Sequence, residues 1–341
     1  MRIAVVASPV TALRPAQLGG AQAFVCDLAE GLAKRGHQVT LHCAEGSEVE
    51  GVDLVTVPVP RDAAAALVMP GGAQPSPSPG VAAALRIMFD AIVGLDVDAI
   101  SQHAFDAPAL EHARGLPVLH TLHLPPIVDA VADAARRVPS SSLAAVSASC
   151  RGQWLRAGVE VGEVLPNGVT EVSVESTPGV GALIAGRISP EKGIEHAIAA
   201  AGRAGLEVQI AGAHYDPAYE VDLSGTSQLG SLRRDVLRRV MAQSAVTICA
   251  VRWEEPFGMV AAEAQMAGCP IAAYRRGAMP EVIEDGVSGF LAEPDDIDAL
   301  TQAVRRCLTL DRSAVRASAR RRLGLDAAID RYEVALAKVA G

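Results

Sequence analysis

Short apolar runs alternate along this chain with longer stretches in which apolar side chains recur at helical spacing. Ile3–Ala7, Val39–Cys43 and Leu54–Val57 predict strands. Between the first two, Phe24, Val25, Leu28, Ala29 and Leu32 form the stripe of a helix that starts near Ala21 and stops at Gly36. Ala82–Val93 predicts another helix, and Val118–Thr121 and Ala144–Ser147 further strands. The Pro/Gly/Ser run 70–80 predicts a long loop within a domain, because the alternation resumes directly after it.

A second alternation opens near Ala182. Leu183–Ala185, Val208–Ala211, Val246–Ala250 and Ile271–Ala273 predict strands, and Gly193–Ala204, Ser231–Ala242 and Met259–Ala267 predict helices. Strands alternating with helices imply parallel sheets covered on both faces. Asn167-Gly168 and Pro178-Gly179 mark the junction of two such α/β units. Ligands of open α/β sheets bind at the carboxyl ends of the strands, so a cleft between two facing units is the expected site.

Composition narrows the partners. The 341 residues are half apolar and suffice for two domains, and the net charge is −9. An acidic chain with 3% aromatic residues lacks both the basic face and the stacking platforms that nucleic acid requires. The six cysteines form no Cys-x-x-Cys pair and are expected to be reduced and buried in a cytoplasmic protein. The N-terminus lacks signal-peptide architecture, and no apolar run is long enough to span a bilayer. The tail carries Arg305, Arg306, Arg312, Arg316 and Arg320–Arg322. Interleaved aspartates favour a solvated helix face over a membrane patch.

The most informative segment runs from Trp253 to Pro270. Pro256 and Gly258 hold Glu255 in a loop, and Met259–Ala267 follows as a helix ended by Gly268. One carboxylate therefore precedes a helix N-terminus, and the other, Glu263, projects from its second turn. Free N–H groups at such a terminus bind anions. Amides beside two acceptor-only side chains suit a ligand with a phosphate and several hydroxyls, such as a nucleotide sugar. Gly186–Gly193 places Arg187 and Lys192 at a strand's carboxyl end, where they can hold a diphosphate. Gly19-Gly20 permits close backbone approach after the first strand. His103, His120 and His123 are all candidates in the first half, and spacing does not choose among them. No Asp, Glu, His or Cys cluster has metal-ligand spacing, so neither metal nor other cofactor is expected.

Taken together, these residues resemble the retaining glycosyltransferases of family 4, which have GT-B architecture: two facing Rossmann-like domains around a cleft. Glu255-Pro256-Phe257-Gly258 through Glu263 matches the family's Glu-x7-Glu motif, and Gly186–Gly193 its phosphate-binding loop. Leu165–Val169 matches the interdomain segment, and Pro280–Ile283 with Gly286 and Gly289 the closing motif. Thr121-Leu122-His123 matches its first-domain histidine, which selects His123 among the three. The chain departs from the pattern at Ala250–Trp253, Leu124 and Ala278.

The resemblance implies an acceptor-binding domain over 1–166, with 326–341 packing back onto it, and a nucleotide-sugar domain over 167–325. It implies that Glu255 binds the donor sugar, Glu263 the ribose, and Arg187 and Lys192 the diphosphate. Gly186, Pro256, Phe257, Gly258, Met259 and Val260 would line the donor site, Leu232 the base pocket, and Gly20 a closing loop. His123 would meet the sugar near its anomeric carbon. The implied reaction is metal-independent transfer from a UDP-sugar to a small hydroxyl or oligosaccharide acceptor with same-face attack. A high-GC composition suggests an antibiotic-tailoring member of the avilamycin type. The alternatives are a lipid-acceptor enzyme at a membrane surface, a sugar-nucleotide epimerase and a non-catalytic nucleotide-sugar-binding subunit.

Overall fold

The computed structural model describes residues 1–14, 19–66, 78–173, 179–215 and 218–341. Contacts divide the chain into two units, one of Met1–Pro15, Ala21–Gly168 and Leu325–Gly341, the other of Ala16–Gly20 and Val169–Gly324.

The first unit contains β1 (Arg2–Val6), α1 (Gly20–Lys34), β2 (Gln38–Ala44), β3 (Asp53–Val57), α2 (Ala63–Ala66), α3 (Pro79–Val93) and β4 (Ala99–Gln102). It continues with α4 (Ala107–His112), β5 (Val118–Leu122), α5 (Asp129–Ala135), β6 (Leu143–Ala145), α6 (Ala148–Arg156) and β7 (Glu163–Val164). The sheet order is β3-β2-β1-β4-β5-β6-β7, with every pairing parallel. Ile3, Ala4, Val5 and Val6 are all buried, as a strand covered on both faces requires.

The second unit contains β8 (Ala182–Ala185), α7 (Ile194–Arg203), β9 (Val208–Ala211), β10 (Ser227–Gly230), α8 (Arg234–Gln243) and β11 (Val246–Cys249). After these come α9 (Met259–Met266), β12 (Ile271–Tyr274), α10 (Met279–Val282), β13 (Gly289–Ala292), α11 (Ile297–Cys307) and α12 (Arg312–Leu323). Its strands run β10-β9-β8-β11-β12-β13, again all parallel. The final helix, α13 (Leu325–Ala340), packs on β4 and β5 of the first unit, burying Ile329, Tyr332 and Leu336.

Several elements differ from the reading of the pattern. Ala99–Gln102 is a central strand although Ser101 and Gln102 are polar, because both are buried and hydrogen-bonded. Ser147 ends no strand; it caps α6, accepting from the Cys150 amide at 2.9 Å. Pro79 and Gly80 belong to the first turn of α3, where proline's missing N–H costs nothing. The rest of the expected 70–80 loop, up to residue 77, and Pro178 of the expected junction lie outside the described residues. α8 starts at Arg234, three residues after the expected Ser231, since β10 extends to Gly230.

The arginine-rich tail is a solvated face only in part: Arg305, Arg306, Arg320 and Arg321 are exposed, but several of its arginines also bind helix ends. Arg305 donates to the Arg203 carbonyl at the end of α7, and Arg312 to the Ala242 and Ser244 carbonyls at the end of α8. Arg316 reaches the Ala267 carbonyl after α9, and Arg322 the Glu281 and Val282 carbonyls of α10. Four helix C-termini thus receive a cation where the last carbonyls lack helical donors and the helix dipole is negative.

Candidate functional site

In the second sheet the strand order reverses between β8 and β11. Successive connections leave to opposite sides there, so the loops after these two strands open a crevice at their carboxyl ends. Gly186–Gly193 follows β8, and Ala250–Gly258 follows β11. The topology therefore brings the basic loop and the first carboxylate of the Glu-x7-Glu motif to one place.

Lys192 Nζ lies 2.7 Å from Glu255 Oε2, and Trp253 Nε1 donates to the same oxygen at 2.8 Å. The Lys192 ammonium also sits 5.5 Å from the Trp253 ring centroid, on its face. Burial pushes the Glu255 carboxyl up, but the Lys192 charge and the hydrogen bonds from Lys192 and Trp253 outweigh it and hold Glu255 below the ordinary carboxylate value. Arg187 Nη2 lies 3.3 Å from Glu191 Oε1, which also accepts from Ser189 Oγ at 2.7 Å. The Arg187 guanidinium stands 5.1 Å from the Tyr215 ring centroid. Its Nε is buried and without a hydrogen-bond partner among the described residues.

Backbone contacts tie these two loops to each other and to the segment after β12. The Arg252 amide donates to the Glu191 carbonyl at 2.8 Å, and the Ala278 amide to the Glu255 carbonyl at 2.8 Å. Gly193 takes φ +61°, and a Cβ there would collide with the Ala250 carbonyl oxygen. Gly258 takes φ +96°, a backbone conformation that side-chain-bearing residues rarely adopt, and turns the chain into α9 against the Met279 side chain. The first amides of α9, at Met259 and Val260, have no acceptor within the helix. Pro256, Phe257 and Met259 are buried and support this turn, while Gly186 and Val260 are half-buried. Gly20 belongs with this unit, where a Cβ would stand 2.7 Å from Met259 Cγ. Leu232 is half-buried in the loop after the edge strand β10.

Glu263, on the second turn of α9, is held by two arginines. It is 7% exposed, and its Oε1 receives Arg234 Nε at 2.5 Å and Arg238 Nη2 at 3.3 Å. Both arginines lie on α8, one turn apart, and α8 packs against α9. The i,i+4 spacing of Arg234 and Arg238 is visible in the sequence, but their partner is not.

His123 lies just beyond β5 in the first unit and is 6% exposed. Its Nε2 is 2.9 Å from His103 Nδ1, and His103 Nε2 is 2.8 Å from Ser101 Oγ. Phe24 meets both rings edge-on, and Tyr332 of α13 stacks beside His103 at 6.0 Å. Burial lowers His123 to about 4; burial and the neighbouring His123 lower His103 well below its ordinary value. His120 is also buried, on β5.

Among the described residues no group of three or more His, Cys, Asp or Glu could hold a metal ion, and no helix is long and apolar enough to cross a membrane.

Comparison with known proteins agrees with this geometry. Residues 18–171 match the family model "Glycosyltransferase Family 4", and residues 180–323 match "Glycosyl transferases group 1". Glycogen synthase of Mycobacterium tuberculosis is 32% identical over 158 residues, 42% of this chain and 38% of that enzyme's length. Among solved structures, AviGT4, a glycosyltransferase involved in avilamycin A biosynthesis, superposes with TM-score 0.74 at 22% identity, covering 100% of this chain and 98% of its own. Anabaena HepE, solved in complex with UDP, gives TM-score 0.71 at 20% identity over 99% of this chain and 100% of its own. Two Rossmann-like parallel sheets and two family models spanning most of the sequence lead to one conclusion: the chain belongs to the family 4 glycosyltransferases of GT-B fold.

Proposed function

We propose that this protein transfers a sugar from a nucleoside-diphosphate sugar, with UDP-sugars favoured, to a hydroxyl of a small-molecule or oligosaccharide acceptor, with retention and without a metal. The observation that carries this reading is the Lys192–Glu255 pair at 2.7 Å, set beside Arg187 and the first amides of α9 at the reversal point of the second sheet.

Cleavage of a sugar–phosphate bond leaves negative charge on the diphosphate and positive charge on the sugar ring. Arg187, Lys192 and the α9 amides supply fixed positive charge for the first. Lys192 thereby takes the electrostatic role that a divalent ion has elsewhere. Glu255, kept ionised by Lys192, accepts hydroxyl hydrogen bonds from the sugar. Glu263 reads the ribose with its carboxylate oriented by Arg234 and Arg238, and His123 meets the sugar near its anomeric carbon. The acceptor attacks from the face that the diphosphate leaves, and the departing phosphate oxygen takes the acceptor's proton. The UDP-bound relative of the same fold supports uridine as the base.

A thermal-shift series with UDP, GDP, ADP and dTDP tests the donor, followed by UDP release from UDP-glucose with EDTA present. UDP is expected to raise the melting temperature most, and EDTA to leave turnover unchanged. If no nucleotide stabilises the protein, the sugar-transfer reading fails.

A further inference from the structure

The Ser101–His103–His123 chain is more than a packing feature. All three side chains are buried, at 0%, 6% and 6% exposure, and the two contacts of 2.8 and 2.9 Å consume three of the four ring nitrogens. The fourth, His123 Nδ1, is buried and has no hydrogen-bond partner among the described residues. Phe24 and Tyr332 close the sides of the pair, and Tyr332 is itself fixed by a 3.1 Å contact between its hydroxyl and Thr121 Oγ1.

A neutral imidazole has one N–H and one lone pair, so a bond at one nitrogen dictates what the other can do. The chain therefore has two self-consistent polarities. In one, Ser101 donates to His103 Nε2, His103 Nδ1–H donates to His123 Nε2, and His123 carries its proton on Nδ1. In the other every donor reverses, and His123 Nδ1 is a lone pair. A mixed arrangement sets two N–H groups or two lone pairs against each other at 2.9 Å. With His103 present, the tautomer of His123 is coupled to the state of Ser101, 22 residues earlier in the chain.

We propose that His103 is a positioning residue: together with Ser101 it fixes the tautomer and ring orientation of His123, so that Nδ1 is presented in one hydrogen-bonding state to the donor sugar. The assignment of a ligand to Nδ1 rests on the function proposed above. The tautomer coupling does not, and it can be measured in the free protein.

The test pairs NMR with kinetics. Protein labelled with ¹⁵N-histidine reports the tautomer of His123 through long-range ¹H–¹⁵N correlations, with His123→Asn providing the assignment. Turnover is followed as UDP released from UDP-glucose. In the wild type, His123 should be a single neutral tautomer. In His103→Leu and Ser101→Ala it should become mixed or reversed, and kcat should fall about 10- to 100-fold with donor KM unchanged, as when the outer partner of a functional histidine is lost. His103→Gln, which can both donate and accept, should restore a single tautomer and most of kcat.

An unchanged tautomer in His103→Leu overturns the proposal, as does a folded His103→Gln no better than His103→Leu. If His103→Leu fails to fold, Ser101→Ala decides: wild-type tautomer and turnover there refute the coupling. A locked tautomer that responds to these substitutions in a protein that releases no UDP refutes the transfer reading and leaves the coupling standing.

Discussion

Lys192 Nζ lies 2.7 Å from Glu255 Oε2 although the two residues are 63 positions apart. The contact spans neighbouring strands at the point where the second sheet reverses its order. Each side chain is mostly buried, at 20% and 13% exposure, so the pair is screened less than a surface ion pair. Removing Lys192 leaves the Glu255 carboxylate with the Trp253 indole as its hydrogen-bond donor among the described residues. Lys192→Met should therefore destabilise the protein by about 2 kcal/mol. A double-mutant cycle with Glu255→Gln, read by denaturant unfolding, should show coupling of the same order. Additive effects would show the pair to be energetically idle.

The same pair predicts a direction with pH. Glu255 is held below the ordinary carboxylate value, so its contribution is fully present above the unfolded carboxyl pKa and disappears as pH falls through the lowered one. Glu255→Ala should abolish most UDP-glucose turnover while UDP still binds, as calorimetry would report. Turnover at the wild-type level would remove Glu255 from the site.

Buried histidines give the first unit an acid sensitivity of opposite origin. Burial lowers His42 and His123 to about 4 and His120 to about 3, and lowers His103 as well. The unfolded chain binds these protons near the ordinary histidine value, so stability falls as pH drops from that value towards the lowered ones. For His42 and His123 the full cost, about 3 kcal/mol each, is reached once the pH lies below the lowered value. Melting curves should show His120→Leu losing less stability than wild type between about pH 7 and pH 4. Equal slopes would mean that His120 does not titrate with unfolding.

Glu263 is the counter-charge for Arg234 and Arg238. Glu263→Gln should both lower the melting temperature and weaken UDP binding by about tenfold, the loss of roughly 1.4 kcal/mol. Unchanged UDP affinity alongside lower stability would leave Glu263 a structural anchor between α8 and α9.

Arg316 at the end of α9 and Arg312 at the end of α8 should each stabilise the second unit by about 1–2 kcal/mol. Arg316→Ala and Arg312→Ala would then lower the melting temperature by about 2–4 °C per kcal/mol. Arg321 makes a 3.6 Å ion pair with Glu284 and is exposed, so Arg321→Ala should change stability little. Equal effects for all three would mean that helix capping is not what the inner arginines contribute.

Local order was legible in the sequence wherever one residue type forced one conformation. Short apolar runs gave β1, β9 and β12, helical spacing gave α1 and α3, and Gly258 with Pro256 placed Glu255 in a loop before α9. Those signals depend on neighbours in the chain: the pleat, the helical turn, the left-handed glycine. β4 escaped because two of its four residues are polar, and only burial beside β1 and β5 satisfies them. The motif residues Arg187, Lys192, Glu255 and Glu263 could be named from their spacing. That Lys192 would grip Glu255, that two arginines of α8 would hold Glu263, and that His103 would meet His123 could not. Strand order and helix packing decided those contacts, because hydrogen bonds between residues tens of positions apart form only once the sheets fix which loops are neighbours.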